Sequence, residues 1–206
     1  MKHTNYESHQ ISFSTPLEAN IAVVDYLQSI KDIIQQERKN NPTVVLHTDE
    51  EIIAKYSTSI VALRNDKQII GNSSIYPSIM QPFSSLTLWG KHIQVGETWS
   101  NIIHSNFRWL KFGTELIRQA ISTFTSHYDI IVWATVSDIF YSLAMKQGFQ
   151  AIPFPKALYE EGKMHLAPLM KQGEFEKKAR CVMLNLTLLE EEKQELIALL
   201  EQSYFD

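Results

Sequence analysis

The sequence predicts a mixed α/β fold, with a mostly antiparallel central sheet flanked by helices and an extra helix at the C-terminal end. Three observations predict it. Apolar residues recur every three to four positions over residues 17–38, 112–127 and 188–205, the period of amphipathic helices. Residues 59–63, 68–75 and 93–103 are rich in β-branched and aromatic residues, and residues 130–136 are nearly all apolar, as in a strand buried on both faces. Gly and Pro number 7 each in 206 residues, well under the roughly 12% of average usage, so most of the chain is regular structure.

The first helix is signalled by Thr15, with Pro16 at its first position and Glu18 three after the cap. Its apolar face is Leu17, Ile21, Val24, Leu27, Ile30 and Ile34. A short helix with Ile52, Ile53 and Tyr56 follows Thr48, whose capping-box partner is Glu51, and residues 43–46 before it read as a short strand. Residues 59–63 and 68–75 form a hairpin turned by Arg64-Asn65-Asp66-Lys67, and residues 93–103 form a longer, alternating strand. Phe112, Leu116, Ile117, Ala120, Ile121 and Phe124 line one face of a helix that ends near His127. After the strand at 130–136, Asp138 or Ser137 caps a helix that stops at Gly148.

Residues 149–152 and 181–186 are the last two strands, separated by a Lys-, Glu- and Pro-bearing connection over 153–180. Thr187 and Glu190 form the capping box of a terminal helix. Its Leu196, Leu199 and Leu200 pack either on the same domain or on a second subunit, which leaves a homodimer open. The chain reads as a single domain over 1–206, with a core at about 15–187 and the C-terminal helix at about 188–205.

Composition removes several function classes. Nineteen Lys plus Arg against 23 Asp plus Glu give a net charge of −4, without the basic excess of a non-specific nucleic-acid binder. The longest apolar runs, 130–134 and 196–200, are five residues each, against the roughly 20 needed to span a bilayer. With one cysteine and a polar stretch over 1–10, a cytoplasmic protein is expected. Cys181 reads as a small hydrophobe, and Trp89, Trp99, Trp109 and Trp133 as core or groove walls. His92 and His104 have no partner at ligand spacing, so no metal is expected.

Two places carry candidate chemistry. Over residues 103–116 a strand enters a short polar loop and then a helix with Gly113 and Thr114 in its first turn, preceded by Arg108 and Lys111. Free backbone N–H groups, the positive helix end and two cations suit a pyrophosphate; a plain solvated loop is the alternative. The second place is Glu97, which interrupts the apolar face Ile93, Val95, Trp99 and Ile103. A carboxylate among apolar side chains is pushed toward a neutral pKa and suits general-base work, unless strand twist carries it to a rim.

These residues resemble the GCN5-related N-acetyltransferase superfamily. Its central motif runs from an apolar strand end through Arg or Gln and a Gly-x-Gly-x-Gly/Ala turn into a helix that cradles the pyrophosphate of acetyl-coenzyme A. Arg108 stands at the Arg/Gln position and Gly113 at the last Gly, while Trp109 and Lys111 replace the first two glycines. The hairpin with Gly71, the segment from Tyr141 to Gly148-Phe149 and the closing strand pair follow in the family's order.

The resemblance implies an N-acetyltransferase that moves an acetyl group from acetyl-CoA to a primary amine by direct attack. The coenzyme would lie between the strands at 93–103 and 130–136. Glu97, six residues before Ile103, is then the general base, and Tyr141 a candidate acid, since Ala144 fills the family's usual Tyr position. Ile102, Ile103, Arg108, Lys111, Phe112, Gly113, Thr114 and Asp138 are the implied coenzyme contacts, with a backbone N–H at Asn101 or Ile102 polarising the thioester. The loop at 76–83 falls where family members form the acceptor pocket, or is a plain connection. The expected partners are acetyl-CoA and an amine. A non-catalytic acyl-CoA sensor and a longer-chain acyltransferase stay open as alternatives.

Overall fold

The structure is a computed structural model that describes residues 11–44 and 46–202, with the backbone alone at Trp99 and Ser100. In chain order it contains β1 (Ile11–Ser14), α1 (Val23–Asn40), α2 (Asp49–Ala54), β2 (Ser59–Arg64), β3 (Gln68–Pro77), β4 (Thr87–Leu88), β5 (Lys91–His92) and β6 (Val95–Ile103). There follow α3 (Gly113–Phe124), β7 (Ile130–Thr135), α4 (Asp138–Lys146), β8 (Gln150–Ile152), α5 (Lys156–Leu166), α6 (Glu174–Lys178), β9 (Arg180–Asn185) and α7 (Glu190–Gln202). This is the mixed α/β architecture, with a mostly antiparallel sheet and flanking helices, that the sequence predicts.

The chain gathers into two compact units: Met1–Ile75 with Trp99–Phe124, and Tyr76–Thr98 with Thr125–Asp206. In the first unit β1, β2 and β3 are neighbours in that order, antiparallel at both pairings. The β2–β3 turn holds Asn65 and Asp66 at φ 51° and 55°, the paired left-handed conformation that suits a tight hairpin. Val61, Leu63 and Ile69 face α1 and α2, where Tyr26, Ile30, Ile33, Ile34 and Ile52 close a core. The opposite face carries Gly71 against Phe112 and Leu116.

In the second unit β7 pairs in parallel with the start of β6, and β9 pairs antiparallel with β7 and β8. Val95, Val132 and Met183 share a core with Leu196 and Leu200 of α7. Burying each leucine contributes about 1.5–3 kcal/mol, so this unit's own core takes up the leucine stripe, and Leu199 alone of the three is exposed. On the other face Trp133 packs on Phe140 of α4 at 5.7 Å and on Phe149 at 6.1 Å. Gly148, at φ 88°, provides the left-handed stop of α4.

Several expectations need correction. The Thr15–Glu18 capping box forms, but Asn20 turns left-handed at φ 58° and α1 starts only at Val23. Residues 43, 44 and 46 are not strand: Thr43 bonds back to the Asn41 side chain, and Val45 lies outside the described residues. The strand expected from Ile93 begins at Val95, because Lys91–His92 pairs with Thr87–Leu88 through a turn at Trp89-Gly90. The connection over 153–180 contains α5 and α6. The Thr187 hydroxyl donates to Asp129 rather than capping α7, and the Leu189 N–H bonds Glu192 instead. β1 was not expected. Among the described residues no helix is long and apolar enough to cross a membrane, and no group of His, Cys, Asp or Glu is placed to share a metal ion.

Candidate functional site

Glu97 lies in the second unit, opposite Val132 in the parallel register, and is 6% exposed. Among the described residues that register covers Val95–Glu97 against Ile130–Val132, and Thr98 and Trp133 do not continue it. The partner the sequence did not predict is Ser78. Its N–H donates to the Val95 carbonyl at 2.8 Å, and its hydroxyl donates to Glu97 Oε2 at 3.3 Å. The only hint was that Ser78 falls in the 76–83 loop. Glu97 also reaches Cys181 electrostatically: burial first, and then the Glu97 carboxylate, push the Cys181 thiol up, which leaves it a poor nucleophile. Next to Glu97, the Thr98 hydroxyl is buried with no hydrogen-bond partner among the described residues.

Tyr141 and Asp138 belong to the same unit, on α4. Tyr141 is half-buried. Ser137, not Asp138, caps α4 by accepting from the Phe140 N–H, and Asp138 is exposed with Lys178 Nζ at 3.7 Å.

The segment with Arg108, Lys111, Gly113 and Thr114 lies in the first unit. After β6 the chain makes a 3-10 turn over Ser105–Leu110, and Lys111 closes it in the left-handed conformation, φ 56° and ψ 24°. Lys111 therefore adopts the backbone shape that glycine reaches most easily, at a position where the resemblance expects glycine. Arg108 is an ion-pair partner of Glu37 on α1, whose side chain is 3% exposed. Phe112 is 1% exposed and packs inward, 6.3 Å from the Phe13 ring, so its backbone alone is left for a ligand.

The first i to i−4 bond of α3 runs from Leu116 to the Phe112 carbonyl, which puts the N–H groups of Gly113, Thr114 and Glu115 at the open end of the helix. A methyl group on Gly113 would stand 2.7 Å from Ile103 Cδ1, so the glycine lets the end of β6 pack tightly on α3. Ile102 lends its side chain to the core under α1, and the Asn101 side chain accepts from the Ser73 hydroxyl at 2.5 Å.

Compared by sequence, the chain matches no family model and no curated protein. Compared by structure, it is similar to an acetyltransferase of the GNAT family from Staphylococcus aureus Mu50, with a TM-score of 0.52, 15% identity, and 86% of this chain and 99% of that one covered. The chain has the GCN5-related N-acetyltransferase (GNAT) fold. The same fold appears in a chain of the NatC complex bound to Gag peptide and CoA, at TM-score 0.55 and 14% identity over 86% of this chain and 99% of that one. It appears again in the diaminobutyrate acetyltransferase EctA from Paenibacillus lautus, a structure holding L-2,4-diaminobutyric acid and coenzyme A, at TM-score 0.56 and 10% identity over 88% and 98%. Glu97 lies on β6, and the Arg108–Thr114 segment follows that strand in the chain.

Proposed function

We propose that the chain is an N-acyltransferase that moves an acetyl group from acetyl-CoA to a primary amine, with Glu97 as general base. The observation that carries this reading is a carboxylate, 6% exposed, on a strand beside an apolar core, with the Ser78 hydroxyl among its hydrogen-bond partners. A carboxylate held beside the acceptor can take the ammonium proton that otherwise blocks attack by the nitrogen. Glu97 takes a proton from the ammonium of the acceptor, directly or through water. The freed nitrogen attacks the thioester carbonyl carbon, the C–S bond breaks as the tetrahedral adduct collapses, and the nitrogen gives its second proton to water; the departing thiolate takes a proton from water or from the Tyr141 hydroxyl, which solvent then reprotonates.

For the coenzyme, the chain offers the N–H groups of Gly113, Thr114 and Glu115 and the nearby Lys111 cation, a donor set suited to a pyrophosphate. The CoA named with the NatC and EctA structures supports the same cosubstrate. A second reading, an acyl-CoA-binding module without turnover, is favoured by the ion pair that commits Arg108 to Glu37. Calorimetric titration with acetyl-CoA, followed by a thiol-release assay over a panel of amines, separates the two. Binding with turnover supports the acyltransferase and binding without turnover the second reading, while no binding refutes both.

A further inference from the structure

Ser78, the residue after β3, is 8% exposed in the second unit, where a buried hydroxyl has to be matched by partners. Its N–H donates to the Val95 carbonyl at 2.8 Å, which fixes its backbone on β6 two residues before Glu97. The Met80 N–H donates to Ser78 Oγ at 3.4 Å and so occupies the accepting side of the hydroxyl, whose proton goes to Glu97 Oε2 at 3.3 Å. The chain beyond is held as well. The Ser84 N–H donates to the Met80 carbonyl at 2.8 Å, and Phe83, 1% exposed, lies in the core that contains Val95, Val132 and Cys181. A donor is thus carried to the carboxylate by a loop that is tied down on both sides of it.

We infer that Ser78 is a positioning residue for Glu97, its hydroxyl holding the carboxylate in the orientation from which the acceptor's proton is taken. The assignment rests on the general-base reading of Glu97 above and adds to it a residue that acts through Glu97. A glutamate side chain turns about several single bonds, and a base delivers its rate only when its oxygens are held toward the proton. Packing against an apolar core leaves the direction of those oxygens loosely set, whereas a hydrogen bond sets it. A donor to the carboxylate also favours its charged form, the form that accepts a proton.

The test measures kcat and KM with the best amine acceptor, and affinity for acetyl-CoA, in Ser78→Ala, Glu97→Gln, the double variant and Ser85→Ala. Ser85 is the control: it lies in the same connection between β3 and β4, but is exposed and donates to the Gln81 side chain at 3.1 Å. With one hydrogen bond to the carboxylate lost, Ser78→Ala should lower kcat by roughly 5- to 30-fold. Its amine KM and coenzyme affinity should stay within about threefold of wild type, and every constant of Ser85→Ala within about twofold. On the Glu97→Gln background Ser78→Ala should lower kcat by less than about twofold more, because the base it orients is gone. A general lesion in the loop would instead lower kcat equally in both backgrounds.

Ser78→Ala turning over like wild type while Glu97→Gln is impaired would overturn the assignment and leave the general-base reading standing. An equal fall in both backgrounds, a change carried by KM alone, or a fall in Ser85→Ala as large as in Ser78→Ala would overturn it as well. Glu97→Gln turning over like wild type, or a wild type that acetylates no amine, would overturn the general-base reading and the assignment together. Should Ser78→Ala not fold, Ser78→Cys, close in size but only a weak donor, takes its place and should show the same pattern. Wild-type kcat in Ser78→Cys would then overturn the assignment.

Discussion

Replacing Arg108 by Gln should destabilise the protein far more than replacing its partner Glu37 by Gln, because the two ends of this ion pair differ in burial. The Glu37 side chain is 3% exposed and the Arg108 side chain 54%. Glu37 Oε1 is already buried without a hydrogen-bond partner among the described residues, so Arg108 is the main compensation for that carboxylate. Arg108→Gln strands a buried charge, a change that costs about 3–5 kcal/mol. Glu37→Gln leaves a guanidinium that is half in water and an amide that can still accept from it, at a cost of about 1–2 kcal/mol. At about 2–4 °C per kcal/mol for a chain of this size, the first variant should lose roughly 6–20 °C in Tm and the second less than about 8 °C. The double variant should recover at least about 1 kcal/mol relative to the sum of the singles. Thermal and urea unfolding of the four proteins give all these quantities. An Arg108→Gln variant within about 1 kcal/mol of wild type, or a Glu37→Gln variant equally damaged, would refute the reasoning from burial.

Two further perturbations follow from local geometry. A methyl group on Gly71 would stand 3.0 Å from Phe112 Cε2 and 3.2 Å from both the Ile102 carbonyl oxygen and Leu116 Cδ2. The carbonyl cannot rotate away, so Gly71→Ala should cost about 1–3 kcal/mol in urea unfolding, and a neutral result would contradict the packing. Burial, and then the charge of Lys55, hold the His47 imidazole down from 6.5 to about 4, against the pull of Glu51. The unfolded chain therefore binds the proton first: this stability is complete above pH 6.5 and is lost as pH falls toward 4. The loss is at most about 3 kcal/mol, and less after solvent screening. His47→Gln should flatten Tm against pH in that window, and an unchanged slope would exclude His47 as its source.

Much of the fold was legible because its signals are local. Asn65 and Asp66 turn the β2–β3 hairpin, Thr48 and Glu51 close their capping box, and Gly148 ends α4 in the left-handed conformation that residue favours. What was not legible depends on residues distant in sequence. Thr187 would cap α7 if Asp129 did not take its hydroxyl, and Arg108 would face a ligand if Glu37 were not buried beside it. The Thr15–Glu18 box reads as a helix start, yet one left-handed residue at Asn20 ends the turn it opens.

The candidate site divides in the same way. Glu97 was visible as a charge on an apolar face, whereas Ser78 reaches it only through the path of the 76–83 loop. Lys111 is the opposite case. Its side chain argued against the glycine-rich turn, while its backbone takes the left-handed shape of one. Trp89 and Trp109, read as core or groove walls, are exposed, because each sits on or beside a tight turn that faces it outward.

The central claim is that Glu97 is the base of an acetyl transfer, and the most direct measurement is the turnover of Glu97→Gln with the best amine acceptor, beside its affinity for acetyl-CoA. General-base catalysis predicts a fall in kcat of roughly 10²–10⁴-fold, relieved as pH rises and the free amine accumulates, with coenzyme affinity within about twofold of wild type. Turnover equal to wild type with coenzyme binding intact would contradict it.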